Sequence, residues 1–554
     1  MKKRILSVLL AVMLAVTAGI TLIGCGGGKG DLIVDNEYTL NVKLRKAGYG
    51  TTFLTEIAKK FETTYVDEGY KINILPPVED LVGDKVAREI YANSKVDVFF
   101  SDTLEPTLTV QGSYGQVAAD ITESVYNQKP IKFDGTEEAE TIKDKLGKFE
   151  STRWVLDGKI YGLPYAASVG GLVVNKKVLD DQGLDVPRTT NELMKTADKI
   201  MEKALETDIF PFTYAFADNL YTNSILGSWM AQASGEDIYD QFWSFQDAEG
   251  NDMLKDSYKV FNTQGLKEAI EVLFNYMDPN MMSYGSATHD VFAAQGQIMK
   301  GDAVFYACGD WMFNEEYTKY PNNLDDVIII KAPMISTVGV EFFADNGFDK
   351  DKCDDILSLI VKYAEENKSE EEIKVAVEKD LSVSLDIDDV KGVCERYGYT
   401  RNSVNLGCIV NENSEKKDLA ALFLRFIAST DAGELFAKEA RTPSPYAFNA
   451  KIPYSNPWFE SVYKITSNRY YNQLATKPSG YRQALGLGDS FFPTGNHIYI
   501  IDIADKKVSK YDPYDLTVMS GTQNIYKEAA EDFCNTAADK AKEKLEKNEW
   551  KVKS

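Results

Sequence analysis

The amino-acid sequence predicts an α/β protein, and three observations carry that expectation. Apolar strand-like stretches alternate with amphipathic helical ones over residues 38–100. The same alternation resumes beyond residue 154 and continues into the C-terminal third. With 554 residues, the chain is long enough for two domains. The order β-α-β-α-β implies a parallel sheet with right-handed crossovers, and ligands of such sheets sit beyond the carboxyl ends of the strands.

The first strand is "YTLNVKL" (38–44), followed by the turn "GYGTT" and by "FLTEIAKKFETTY", which puts Phe53, Ile57 and Phe61 on one helical face. "YKINIL", the helix-like "EDLVGDKVAREIYANS" and the apolar strand "VDVFF" (96–100) complete the first unit. Its strand ends are "RKAGYGT" (45–51) and "SDTLEP" (101–106). Gly and Pro punctuate "WVLDGKIYGLPYAASVGGLVVNKKVL" (154–179), which ends in the buried strand "GGLVVN". A helix over "TTNELMKTADKIMEKAL" with Thr190 as its cap, a strand "FPFTYAF", and helices over "TQGLKEAIEVLFNYM" and "HDVFAAQGQIMKG" follow. "DAVFYACGDWMF" (302–313) is a strand running into a turn.

Residues 341–400 are acidic and carry three helical patterns, around 356–364, 373–377 and 390–397. The segment reads as a solvated helical decoration, or more sharply as a docking surface. "DNGFDKDKCDD" (345–355) lacks the oxygen spacing of a calcium loop and reads as a turn before a helix. After the strand "RNSVNLGCIV", the helix "SEKKDLAALFLRFIAST" gathers Leu419, Leu422, Phe423, Phe426 and Ile427 on one face. The tail mixes Pro/Tyr-rich loops with two helices; segment 484–508 either lines a site or covers a sheet edge.

The chain opens with three positive charges, an apolar run to Ile23 and Gly24 before Cys25, the build of an export signal. A membrane-spanning anchor is the alternative, since residues 5–23 are just long enough to cross hydrocarbon. "LIGC" resembles the lipobox of bacterial lipoproteins. That resemblance implies a lipoprotein signal peptide over 1–24, lipidation of Cys25 with fatty acyl chains such as palmitate, and membrane retention by two or more chains. Residues 25–37, small and polar, suit a flexible tether. The formal net charge of −24 argues against nucleic acid and anionic lipid as partners. Cys308, Cys353, Cys394, Cys408 and Cys534 show no CxxC spacing and read as buried free thiols, with a Cys353–Cys394 bridge as the alternative. Two histidines supply metal or histidine chemistry poorly, so no metal site and no cofactor are expected.

Four segments carry a resemblance: "GYGTTFLTEIAKKFE", "VDVFFSD", "DGKIYGLPYAASVGGLVVNKKVL" and "KGDAVFYACGDWMF". Their order resembles the extracellular solute-binding proteins of ABC importers, carbohydrate type, the group that includes maltose-binding protein. The resemblance implies a two-lobed, periplasmic-binding-protein-like (type II) fold with a hinge, a central ligand cleft and, here, a helical insertion. On that pattern lobe 1 spans 38–150 and 326–440, including the insertion 341–400, and lobe 2 spans 151–325 and 441–554. It also implies a monomer that works at the outer face of the cell membrane, captures a carbohydrate without chemistry, and delivers it to permease subunits.

Carried onto this chain, the resemblance marks Trp311 as an indole facing the cleft, where a flat apolar ring meets the C–H face of a sugar; an ordinary core indole is the alternative. Asp310 precedes it in the same motif. Asp102 matches a carboxylate that accepts sugar hydroxyls, or else forms a turn. Tyr49 and Ser168 match further contact positions, and they stand where maltose-binding relatives carry charged groups, which points to another sugar. Trp229 is the next candidate because its helix starts near a strand end. Arg441 and Tyr446 sit at the third crossing, within either the site or a proline-stiffened hinge.

The competing readings are a binding protein for a peptide, a polyamine or a metal; a surface glycoside hydrolase, which needs two carboxylates across the cleft; and an adhesin or sensor on the same fold.

Overall fold

The computed structural model describes residues 33–46, 48–79, 81–102, 104–147, 153–215, 221–401, 406–447, 456–474 and 516–547. The export signal with Cys25, most of the tether and segment 484–508 lie outside the described residues.

Strand β1 (Thr39–Leu44) is buried along its length and pairs in parallel with β2 (Lys71–Ile74) and β3 (Val98–Asp102). Helices α1 (Thr52–Thr64) and α2 (Gly83–Tyr91) make the crossovers, burying Phe53, Leu54, Ile57 and Phe61 from one and Val86, Ala87 and Ile90 from the other. Short β4 (Leu163–Pro164) precedes β5 (Gly170–Asn175), β6 (Phe210–Phe212), β7 (Ala303–Gly309) and β8 (Val327–Ile330). The last four form a second sheet in the order β8-β5-β7-β6. Late in the chain β9 (Leu406–Val410) returns to the first sheet, antiparallel to both β3 and β4, giving β2-β1-β3-β9-β4.

Around the second sheet lie α3 (Thr190–Thr207), α4 (Asn223–Ser234), α5 (Gln264–Tyr276) and α6 (Val291–Lys300). The cap of α3 is Thr189, one residue before the expected Thr190; its hydroxyl accepts from the Glu192 N–H. Alternation along β5 and β7 divides the sheet between two cores. Leu172, Val174, Phe305 and Ala307 enter the second core, whereas Val173, Tyr306 and Cys308 face the first.

The acidic segment forms α7 (Thr337–Phe343), α8 (Lys350–Glu365), α9 (Glu370–Leu381) and α10 (Ile387–Gly398). Its placement differs from the expectation in two respects. Strand β8, assigned to lobe 1 by the sequence, pairs antiparallel with β5 of the second sheet. The helices are not a decoration on the first unit: Ile356, Leu357, Ile360, Val390 and Val393 are fully buried in the second core, with Trp229. Each such side chain contributes about 1.5–3 kcal/mol. Most of the acidic residues stay on the outer faces, while Asp354 is buried and accepts from the Thr189 hydroxyl at 3.1 Å; the acidic residues dominate the composition while saying nothing about which core the inner faces cover. Asp349 caps α8, so "DNGFDKDKCDD" is the turn and helix start expected.

The chain closes through α11 (Lys417–Ile427) and α12 (Thr430–Ala440), which return to the first core, then α13 (Pro457–Thr466) against β8 and α14 (Leu516–Lys547) against α5. Cys308, Cys353, Cys394, Cys408 and Cys534 are buried free thiols; the 353–394 bridge is not formed. Among the described residues no helix is long and apolar enough to cross a membrane.

Candidate ligand-binding site

The loop after β1 runs from the first sheet to the end of β7 in the second. Gly48 adopts φ +37°, and a Cβ there would lie 2.9 Å from Trp311 Cβ, so the loop rests directly on the tryptophan side chain. Tyr49 then projects its hydroxyl across the junction and donates to Asp310 Oδ1 at 2.9 Å. Asp310 is fixed by the register of β5 against β7, which pairs Gly170 with Gly309, and by its own N–H on the Val169 carbonyl at 2.9 Å. The Thr442 hydroxyl, from the third crossing, donates to Asp310 Oδ2. Ser168, on the segment 165–169 that leads from β4 of the first sheet to β5 of the second, hydrogen-bonds Tyr49.

Burial is the dominant electrostatic effect here. It raises the Asp310 carboxyl from 3.8 to about 7, against the donors Thr442 and Tyr49, which favour the carboxylate. Burial first, and the neighbouring Asp310 second, push the Tyr49 hydroxyl well above its ordinary value. A few residues on, burial also raises Glu315 to about 7; its carboxylate accepts from Gln295 Nε2 at 2.7 Å.

Aromatic rings surround these polar groups. Trp311 is only 6% exposed, and its ring occupies the space a Cβ on Gly309 would take, 1.9 Å from Cζ3. Tyr221 lies against Trp311 with centroids 6.1 Å apart and stacks on Tyr306. On the side of the first sheet Tyr165 stacks on Phe53 at 5.7 Å, and Phe436 meets both Phe53 and Tyr49 edge-on.

Of the residues chosen from the sequence, the structure brings together Tyr49, Ser168, Asp310 and Trp311. Asp102 ends β3 with its backbone opposite Leu406, at the carboxyl edge of the first sheet; its side chain lies outside the described residues. Arg441 and Tyr446 tie the crossings to their surroundings. The Arg441 guanidinium donates to Asn314 Oδ1 at 3.0 Å and lies 4.3 Å from the Tyr317 ring centre, and the Tyr446 hydroxyl donates to the Pro164 carbonyl at 2.7 Å. Trp229 is corrected: it is fully buried in the second core, with its indole N–H donated to the Pro333 carbonyl at 2.9 Å. The start of its helix near a strand end says nothing about the direction of the side chain, which follows the apolar face of α4. Sequence reasoning missed Thr442, beside Arg441 in "RTPSPY", together with Gln295, Glu315 and Tyr221; a single hydroxyl or amide carries no spacing signal. Among the described residues no group of three His, Cys, Asp or Glu converges to hold a metal.

The sequence matches the profile of the bacterial extracellular solute-binding protein family over residues 56–352, more than half of the chain. The fold is similar to that of an ABC transporter solute-binding protein from Thermotoga lettingae bound with α-D-tagatose, at 13% identity over 92% of this chain and 99% of that one, TM-score 0.54. It is similar also to the cyclic α-maltosyl-1,6-maltose binding protein from Arthrobacter globiformis, at 14% identity, 92% and 99% coverage, TM-score 0.53. A third similar structure is apo RafE from Streptococcus pneumoniae, at 12% identity, 92% and 100% coverage, TM-score 0.52. No curated protein matches by sequence. The two-sheet architecture with its crossing segments and the family match agree: the chain belongs to the bacterial extracellular solute-binding proteins.

Proposed function

We propose that the protein captures a mono- or oligosaccharide between its two sheets and delivers it to the permease of an ABC importer. Family membership implies a secreted or periplasmic protein; in our reading Cys25 is lipidated and holds it, as a monomer, to the outer face of the membrane. The observation that carries the proposal is the meeting of Tyr49, Ser168, Asp310 and Trp311 at the junction of the sheets. Two hydroxyls, from Tyr49 and Thr442, donate to one carboxyl beside an indole, and Ser168 hydrogen-bonds Tyr49. Sugar hydroxyls offer that carboxyl the same donors, and the indole offers the sugar an apolar face. In this reading opening about the crossings at 163–170 and 441–446 exchanges the protein hydroxyls for those of the ligand, with Asp102 at the facing strand edge. Similar folds recorded with tagatose and named for a cyclic maltosyl-maltose support the ligand class.

The test is the melting temperature of the protein against mono- and oligosaccharides, with peptides, polyamines and divalent metals alongside. A ligand at 100 times its dissociation constant stabilises by about 2.7 kcal/mol, a readable shift. The proposal expects a shift confined to one sugar class and abolished in Trp311→Ala. A shift with a polyamine or peptide alone sinks the carbohydrate assignment, and release of reducing sugar from a polysaccharide replaces capture by hydrolysis.

A further inference from the structure

A cavity away from the sheet junction is built where the acidic insertion meets β8 and α13. It has a volume of about 250 Å³, and its walls come from the loop 186–188, the segment 328–334, α8, the end of α10, and α13. Val186, Val361 and Ile465 supply apolar wall.

Its charges are unusual in a chain of net charge −24. Among the described residues, Arg188, Lys331 and Lys464 border the cavity with a single carboxylate, Glu365; the fourth cation, Lys176, is held by Asp180 at 2.6 Å. Glu365 is shared, with Oε2 lying 3.4 Å from Arg188 Nε and 3.6 Å from Lys464 Nζ, both longer than the roughly 2.7–2.9 Å of a tight charge-assisted bond. Lys331, only 8% exposed, donates to the Tyr397 and Gly398 carbonyls and sits 4.0 Å from the Tyr397 ring centre. One carboxylate facing three cations leaves the cavity electropositive. Burial lowers the Lys331 ammonium to about 7, so the excess at neutral pH lies between one and two charges.

We propose that this cavity binds a small monocarboxylate with an apolar body, its carboxylate between Lys331, Arg188 and Lys464 and its hydrocarbon against Val186, Val361 and Ile465. A monoanion matches the charge excess. The volume is below the roughly 300–1,000 Å³ of sites for drug-sized ligands, which fits a short-chain acid. Two walls of the cavity belong to the insertion, since Val361 and Glu365 come from α8 and Tyr397 from α10, so the site is a property the insertion adds to this chain.

Calorimetric titration of the protein with hexanoate, and with hexanol as the uncharged probe of the same length, tests the inference. Saturable binding of hexanoate without hexanol is expected. Lys464→Gln, at a side chain 57% exposed and therefore safe for folding, should weaken binding at least about tenfold, and Lys331→Met should abolish it. Near-UV circular dichroism checks that both variants keep native packing. Absence of saturable hexanoate binding, equal binding of hexanol, or binding that survives both cavity variants but vanishes in Trp311→Ala would overturn the proposal; the last result would put the acid in the cleft.

Discussion

Asparagine in place of Asp310 keeps the shape of the side chain and removes its titration. In the folded protein the carboxyl is raised from 3.8 to about 7 by burial, with Thr442 and Tyr49 opposing the shift. Below its ordinary value the group is protonated in both folded and unfolded chains. As pH rises from about 4 towards 7, the unfolded chain releases this proton while the folded one retains it, so the stability present at low pH is lost, at no more than about 1.4 kcal/mol per pH unit. Above 7 both states are ionised and the difference stays constant. Between pH 5 and pH 8 the loss from this group comes to about 2–3 kcal/mol. Urea unfolding of wild type and Asp310→Asn at those two pH values, followed by tryptophan fluorescence, isolates the effect, because other titrating groups are shared and cancel. The stability difference between wild type and variant should move by about 2–3 kcal/mol in favour of the wild type on going from pH 8 to pH 5. Parallel pH profiles would refute the reasoning. They would mean that the hydroxyls of Tyr49 and Thr442 outweigh burial and keep Asp310 ionised at pH 5 in the folded protein.

Trp229→Phe should cost about 1–3 kcal/mol in urea unfolding, through the lost bond to the Pro333 carbonyl and the smaller ring. Its ligand affinity should stay at the wild-type value, in contrast to Trp311→Ala; a large loss of affinity would return Trp229 to the site. Ile356→Ala, in the insertion, should cost about 2–5 kcal/mol, because the side chain is fully buried in the second core. A cost near zero in the same assay would make the insertion the separate decoration that its composition suggests.

Much of this protein was legible in the chain itself, because the relevant signals are local. Period-3.6 patterns located α1 and α11, each reporting one buried face of one helix, and short strand-like stretches located β1 and β3, whose residues are buried on both faces. The placing of Tyr49, Ser168, Asp310 and Trp311 in one candidate site rested on a family resemblance that the profile match and the fold bear out at the level of family. Only the tertiary structure decided what depends on contacts between distant segments. Thr442 joins Asp310 across 132 residues, and no spacing rule reaches that far. The helices of 341–400 show the same limit. Their buried stripes were visible, but a stripe of Ile and Val fits either core, and pairing of β8 with β5 carries it to the second. The direction of the Trp229 indole and the raised carboxyl of Asp310 are decided in the same way, since burial is set by everything that packs around a group and a sequence states only the group itself.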